Sequence, residues 1–106
     1  KSRNSFIPVL IQLRNYRGSI EELFKNQLAP WGIDMDSFQV DLADGKFLLI
    51  FDGVNEIPND KKSDGLAELR QLLAFDKNRF LFTSRTALVH ERLDTSRRGR
   101  VILVYA

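Results

Sequence analysis

Two stretches of this chain carry polar groups at the ends of apolar runs, the placement that chemistry on a bound ligand requires. Residues 46–58 read KFLLIFDGVNEIP, so Asp52 follows the run directly and Asn55 and Glu56 come just after it. Residues 78–85 read NRFLFTSR, ending in Thr83, Ser84 and Arg85. A carboxylate at a strand tip can hold Mg²⁺ through water, and a second can polarise a water for attack on a phosphoryl group. The hydroxyls of Thr83 and Ser84 and the Arg85 guanidinium could sense or clamp the phosphate. Gly53 leaves room for a phosphate or metal beside the backbone. The competing reading of Asp52 and Glu56 is plain: polar residues closing a strand, with Gly53 serving a turn.

Such groups act together only if the elements carrying them end on one rim. Residues 6–13, FIPVLIQL, show little polar alternation, the pattern of a strand buried on both faces. Ser19 and Glu22 form a Ser-x-x-Glu capping box, predicting a helix over 20–28. Asp36 and Ser37 can open a second short helix that ends at Gly45. Residues 46–51 read as a buried strand. A helix over 64–74 is expected to present Leu66, Leu69, Leu72 and Leu73 as one stripe. Strands are predicted at 79–83 and 101–105, with a helical turn near 87–93. Strands alternating with helices predict a three-layer α/β domain: a mainly parallel sheet of about four strands with helices on both faces. In such a sheet ligands bind beyond the carboxyl ends of the strands, where all seven candidate residues stand.

The bulk properties restrict the alternatives. The 106 residues suit one domain with one core, and 43% hydrophobic with 28% charged residues is an ordinary globular balance. With no cysteine, disulfides, thiol nucleophiles and thiolate metal sites are excluded. No apolar run approaches bilayer length and residues 1–15 lack a signal-peptide core, so a cytoplasmic chain without membrane contact is expected. Sixteen basic against 14 acidic residues leave a formal charge of +2, too small for a dominant field. Arg97, Arg98 and Arg100 cluster, as do Arg3, Arg14 and Arg17, but no stacking aromatics accompany them, which disfavours a nucleic-acid site. Trp31 is expected to cap the core of the first helix. His90, the single histidine, reads as a surface or boundary residue.

FLLIFDGVNEI resembles the Walker B motif of NACHT nucleotide-binding domains, members of the signal-transduction class of P-loop NTPases. NRFLFTSR is similar to that family's sensor strand, and FIPVLIQLRNYRGSIEELFKNQL to the strand and helix before Walker B. The resemblance covers roughly residues 6–86 and implies a partial P-loop NTPase core. It implies that Asp52 is the Mg²⁺-associated acid, that Glu56 activates water, and that Thr83, Ser84 and Arg85 face the γ-phosphate. Gly53 and Asn55 would line the same nucleotide site. Asn55 stands where the family often has Asp, and Thr86 where it often has Pro. The cofactors implied for an intact domain are Mg²⁺ and ATP or GTP.

The phosphate-cradling loop GxxxxGK[ST] does not occur in the sequence. Lys1 and Ser2 resemble its last two residues but leave no space for the helix that must follow. The expectation is therefore a single partial nucleotide-binding domain over 1–106, catalytically silent and without tightly bound nucleotide. It would belong to a regulatory NTP hydrolase with attached sensor or effector domains. In the family the Walker A strand lies between the sensor strand and the final strand. Either residues 101–105 move in beside residues 79–83, or an apolar edge stays open and invites self-association. Two rivals are an interaction module using the Arg97 to Arg100 cluster, and a flavodoxin-like or receiver-like domain. The latter needs carboxylates after the first strand, where Arg14 and Asn15 stand.

Overall fold

A computed structural model of the chain describes residues 5–84 and the backbone of residues 101–105. Four strands, β1 (Ile7–Gln12), β2 (Phe47–Asp52), β3 (Arg79–Ser84) and β4 (Val101–Tyr105), alternate with the helices α1 (Ile20–Leu28), α2 (Met35–Asp44) and α3 (Lys62–Leu72). They form one sheet in the order β1-β2-β3-β4, with every neighbouring pair parallel. This is the mainly parallel α/β architecture that the alternation predicts. Pairing of Phe80 with Val101 through to Ser84 with Tyr105 sets β4 directly against β3, the first of the two arrangements open to the final strand.

Local signals account for the helix ends. The Ser19 hydroxyl accepts the Glu22 N–H at 3.2 Å, capping α1. Asp34 caps α2 through the Ser37 N–H at 3.3 Å, so this helix starts slightly before the Asp36-Ser37 pair. Gly45, at φ 78°, ends it in the left-handed conformation that a side chain resists. Leu66, Leu69, Leu72 and Leu73 are all buried, as their stripe predicts.

Strand alternation divides the sheet into two unlike faces. Val9, Ile11, Phe47, Leu49, Phe51, Phe80 and Phe82 are buried under the helices. Phe38 bridges the layers, its ring centroid 4.9 Å from both Phe24 and Phe47. The other face carries Pro8, Leu10, Leu48, Ile50 and Leu81, which are half-buried or exposed. Arg79 crosses its amino end with its guanidinium 5.1 Å from the Phe6 ring centre. Among the described residues, then, helices cover one face and not the expected two. The physical reason is topological: β2 and β3 are added in the same direction, and right-handed crossovers then put α1, α2 and α3 on the same side.

The edge position of β1 corrects a second expectation. Its residues are not buried on both faces, and Leu10 is 53% exposed. The outer edge is nevertheless guarded. Gln12 donates its N–H to Gln27 Oε1 at 3.2 Å and accepts from Gln27 Nε2 at 3.4 Å, so a side-chain amide stands in for a neighbouring strand. Pro8 removes another donor from the same side, which blunts strand addition. Trp31, expected as a core cap, is 78% exposed, because the 3-10 turn Ala29–Trp31 carries it beyond the core.

One buried polar side chain ties the amino end of the sheet together. Asn78 is fully buried, and its Oδ1 accepts the Phe47 N–H at 3.0 Å. Its Nδ2 donates to the carbonyls of Leu42 at 2.7 Å and Phe75 at 3.0 Å. It thereby joins the start of β2, the end of α2 and the turn into β3. Replacing it with Ala removes these bonds from three backbone groups, two of them in buried contacts. Asn78→Ala is expected to lose about 2–4 kcal/mol of stability in urea unfolding. A change within about 0.5 kcal/mol, the range of an ordinary surface substitution, would show that the staple is dispensable.

Candidate functional site

Parallel pairing places the carboxyl ends of the strands on one rim, and Asp52 is the last residue of β2. Its neighbours are Gln12 of β1, by direct register, and Thr83, one residue beyond the Phe51 and Phe82 pair. The Thr83 hydroxyl donates to Asp52 Oδ1 at 2.6 Å. The Thr83 hydroxyl oxygen in turn accepts the Gly53 N–H at 2.8 Å. Alternation puts Asp52 and Thr83 on the face that α1, α2 and α3 leave open. Asp52 is half-buried there.

Beyond Asp52 the chain reverses sharply. Gly53 has φ 79° and the next residues form the 3-10 turn Val54–Glu56, closed by the Glu56 N–H on the Gly53 carbonyl at 2.8 Å. Val54 and Ile57 are buried and anchor this turn, while Glu56 is exposed. The Glu56 side chain folds back over Gly53. A Cβ at position 53 would stand 2.5 Å from Glu56 Oε1, the movable end of that side chain, so it is the left-handed backbone conformation that requires glycine here. The room beside Gly53 is thus occupied by the second carboxylate, which brings Asp52, Gly53 and Glu56 into one cluster. The Asn55 carbonyl in the same turn accepts from Lys62 Nζ at 3.0 Å.

The other candidates are placed differently. Ser84 is buried, 3% exposed, and alternation turns it to the helix-covered face, opposite Thr83. Arg85 lies outside the described residues, as do Thr86, His90, the turn expected near 87–93 and the Arg97 to Arg100 cluster. Among the described residues no group of three His, Cys, Asp or Glu side chains could cage a metal. A single strand-tip carboxylate does fit Mg²⁺ bound in its usual way, through one or two carboxylates, several waters and the phosphates of a substrate. Asp52 would hold such an ion. No described helix is long and apolar enough to cross a membrane.

Two residues near this rim carry no local sequence signal. Tyr16 is fully buried, and its hydroxyl donates to Glu68 Oε1, which also accepts the Ile20 N–H at 3.0 Å. Glu68 therefore completes the start of α1 from a distant helix. Burial, the hydrogen bond to Glu68 and the charges of Glu68 and Asp64, in that order, hold the Tyr16 phenol well above its ordinary value of 10.0. A groove of about 710 Å³ also runs along the β1 edge past Leu10, Leu28, Trp31 and Phe38, but none of the described candidate residues lines it.

Folding favours the neutral phenol, so the stability this pair contributes is fully present below pH 10.0 and is lost as pH rises above it. Tyr16→Phe should cost about 1–2 kcal/mol near neutral pH. The wild-type urea midpoint should then fall more steeply than that of Tyr16→Phe above pH 10.0, a comparison that cancels lysine titration. Parallel pH profiles would contradict the assignment.

No family profile, curated protein or solved structure matches the chain in the comparisons with known proteins.

Proposed function

We propose that this chain supplies one half of a nucleoside-triphosphate hydrolysis site, in a regulatory protein of the NACHT type. The observation that carries this reading is the pairing of Asp52 with Thr83 at the carboxyl rim, with Glu56 folded against Gly53 beside them. Asp52 would hold Mg²⁺ through water, and that ion would supply charge neutralisation to the phosphates of ATP or GTP. Glu56 is the exposed residue of its turn, and rotation about its side-chain bonds would carry the carboxylate off Gly53 toward an attacking water. As general base it would take the water's proton while the γ-phosphoryl group moves from the leaving oxygen to the water oxygen. The resemblance of FLLIFDGVNEI and NRFLFTSR to Walker B and sensor segments supports the same assignment, and it extends to Arg85 at the γ-phosphate.

The phosphate cradle belongs, on this reading, to a segment outside the 106 residues. The sheet face bearing Leu10, Leu48, Ile50 and Leu81 supports that view, since no described helix covers it and it leads to Asp52. Without the cradle the chain should be catalytically silent. Attached sensor or effector domains, self-association and a cytoplasmic location are parts of the same proposal.

The test is made in the longer protein that carries this segment behind a phosphate-binding loop. Glu56→Gln is expected to slow phosphate release at least about a hundredfold while nucleotide still binds. Asp52→Asn should weaken Mg²⁺-dependent nucleotide binding. Wild-type hydrolysis by Glu56→Gln would overturn the reading.

A further inference from the structure

We infer that Thr83 is a positioning residue that aims Asp52 at the cation and is not itself a phosphate contact. The inference rests on the reading of Asp52 as the metal-associated acid and changes what the neighbouring strand does. A threonine hydroxyl has one proton to give. Here that proton goes to Asp52 Oδ1 at 2.6 Å, and the Thr83 hydroxyl oxygen itself accepts the Gly53 N–H at 2.8 Å. What the hydroxyl has left is acceptor capacity, which an anionic phosphate oxygen does not bind. Thr83 could donate to a phosphate only by releasing Asp52.

The two bonds have separate consequences. Holding Oδ1 would fix the carboxylate plane and leave Oδ2 for the cation or its water, as outer partners of metal-site carboxylates generally do. Holding the Gly53 N–H fixes the left-handed residue from which the Val54–Glu56 turn departs. One hydroxyl on β3 therefore sets the direction of Asp52 and the starting point of the turn that carries Glu56. Ser84, buried on the opposite face, cannot take over this task.

The test uses Mn²⁺ alone as a paramagnetic probe on the 106-residue chain. It reads the Mn²⁺ concentration that half-broadens the Gly53 and Glu56 amides in two-dimensional NMR spectra. Asp52→Asn should abolish the effect. Thr83→Val should raise the required concentration about tenfold, and Thr83→Ser should stay within about twofold of wild type. Resonances far from the rim serve as the check on folding, and Thr83→Ala is the second variant lacking the hydroxyl. Unchanged broadening in Thr83→Val and Thr83→Ala would overturn the positioning role while leaving Asp52 as the metal-associated acid. Equal weakening in Val and Ser would overturn it too, since the hydroxyl would not be the operative group. If Asp52→Asn left the wild-type broadening intact, or none occurred, the reading of Asp52 itself would fall and the inference with it.

Discussion

The side-chain amide of Asn78 occupies the amino end of the β2 and β3 pair, taking the Phe47 N–H and returning its own protons to the Leu42 and Phe75 carbonyls. A parallel pair has no tight hairpin to fix its register, so something else must. Asn78 does this from the last position before β3, and the stacked rings of Phe51 and Phe82, 5.3 Å apart, hold the middle. Asp52 follows Phe47 by the same number of residues as Thr83 follows Asn78. Fixing the first pair therefore delivers the second, and a slip of one residue would turn Thr83 to the helix side and leave Asp52 without its partner.

A second constraint is the direction of winding. Because each new strand joins on the same side of the last, the described helices collect on one face and pack Phe24, Phe38 and the leucines of α3 into a single core. The opposite face keeps an apolar surface that ends at Asp52 and Thr83. The structure thus separates two tasks. One face supplies stability, and the rim of the other holds the polar cluster where another element can reach it. The edge of β1 is closed by Pro8 and Gln27.

Much of this was legible in the sequence, and the reasons are local. The apolar runs at 46–51 and 79–83, the Ser19 cap and the leucine stripe of α3 each express a periodicity or a short-range hydrogen bond. The placement of Asp52 and Thr83 on one rim followed from strand order alone. What escaped depends on partners far away in the chain. Asn78, Glu68 and Gln27 carry no local signal of their tasks, and only folding brings each to a backbone group. Helices were expected on both faces because alternation of strands and helices reveals a parallel sheet but not its winding. Thr83 and Ser84 looked equivalent as neighbours, yet strand alternation sends them to opposite faces.

The central claim is that Asp52 and Glu56 belong to a nucleotide site completed by a phosphate cradle from elsewhere. Its most direct test is an NMR titration with Mg-ATP that follows the amides of Asp52, Gly53, Glu56 and Thr83, first on this chain and then with the cradle-bearing segment restored. The account predicts no saturable shift below about millimolar ATP for the chain alone, since the backbone N–H groups and lysine of such a loop supply much of the affinity. Restoring the segment should produce saturable shifts at these amides that Asp52→Asn with Glu56→Gln removes. Micromolar binding by the chain alone, or silence at these amides after restoration, would contradict it.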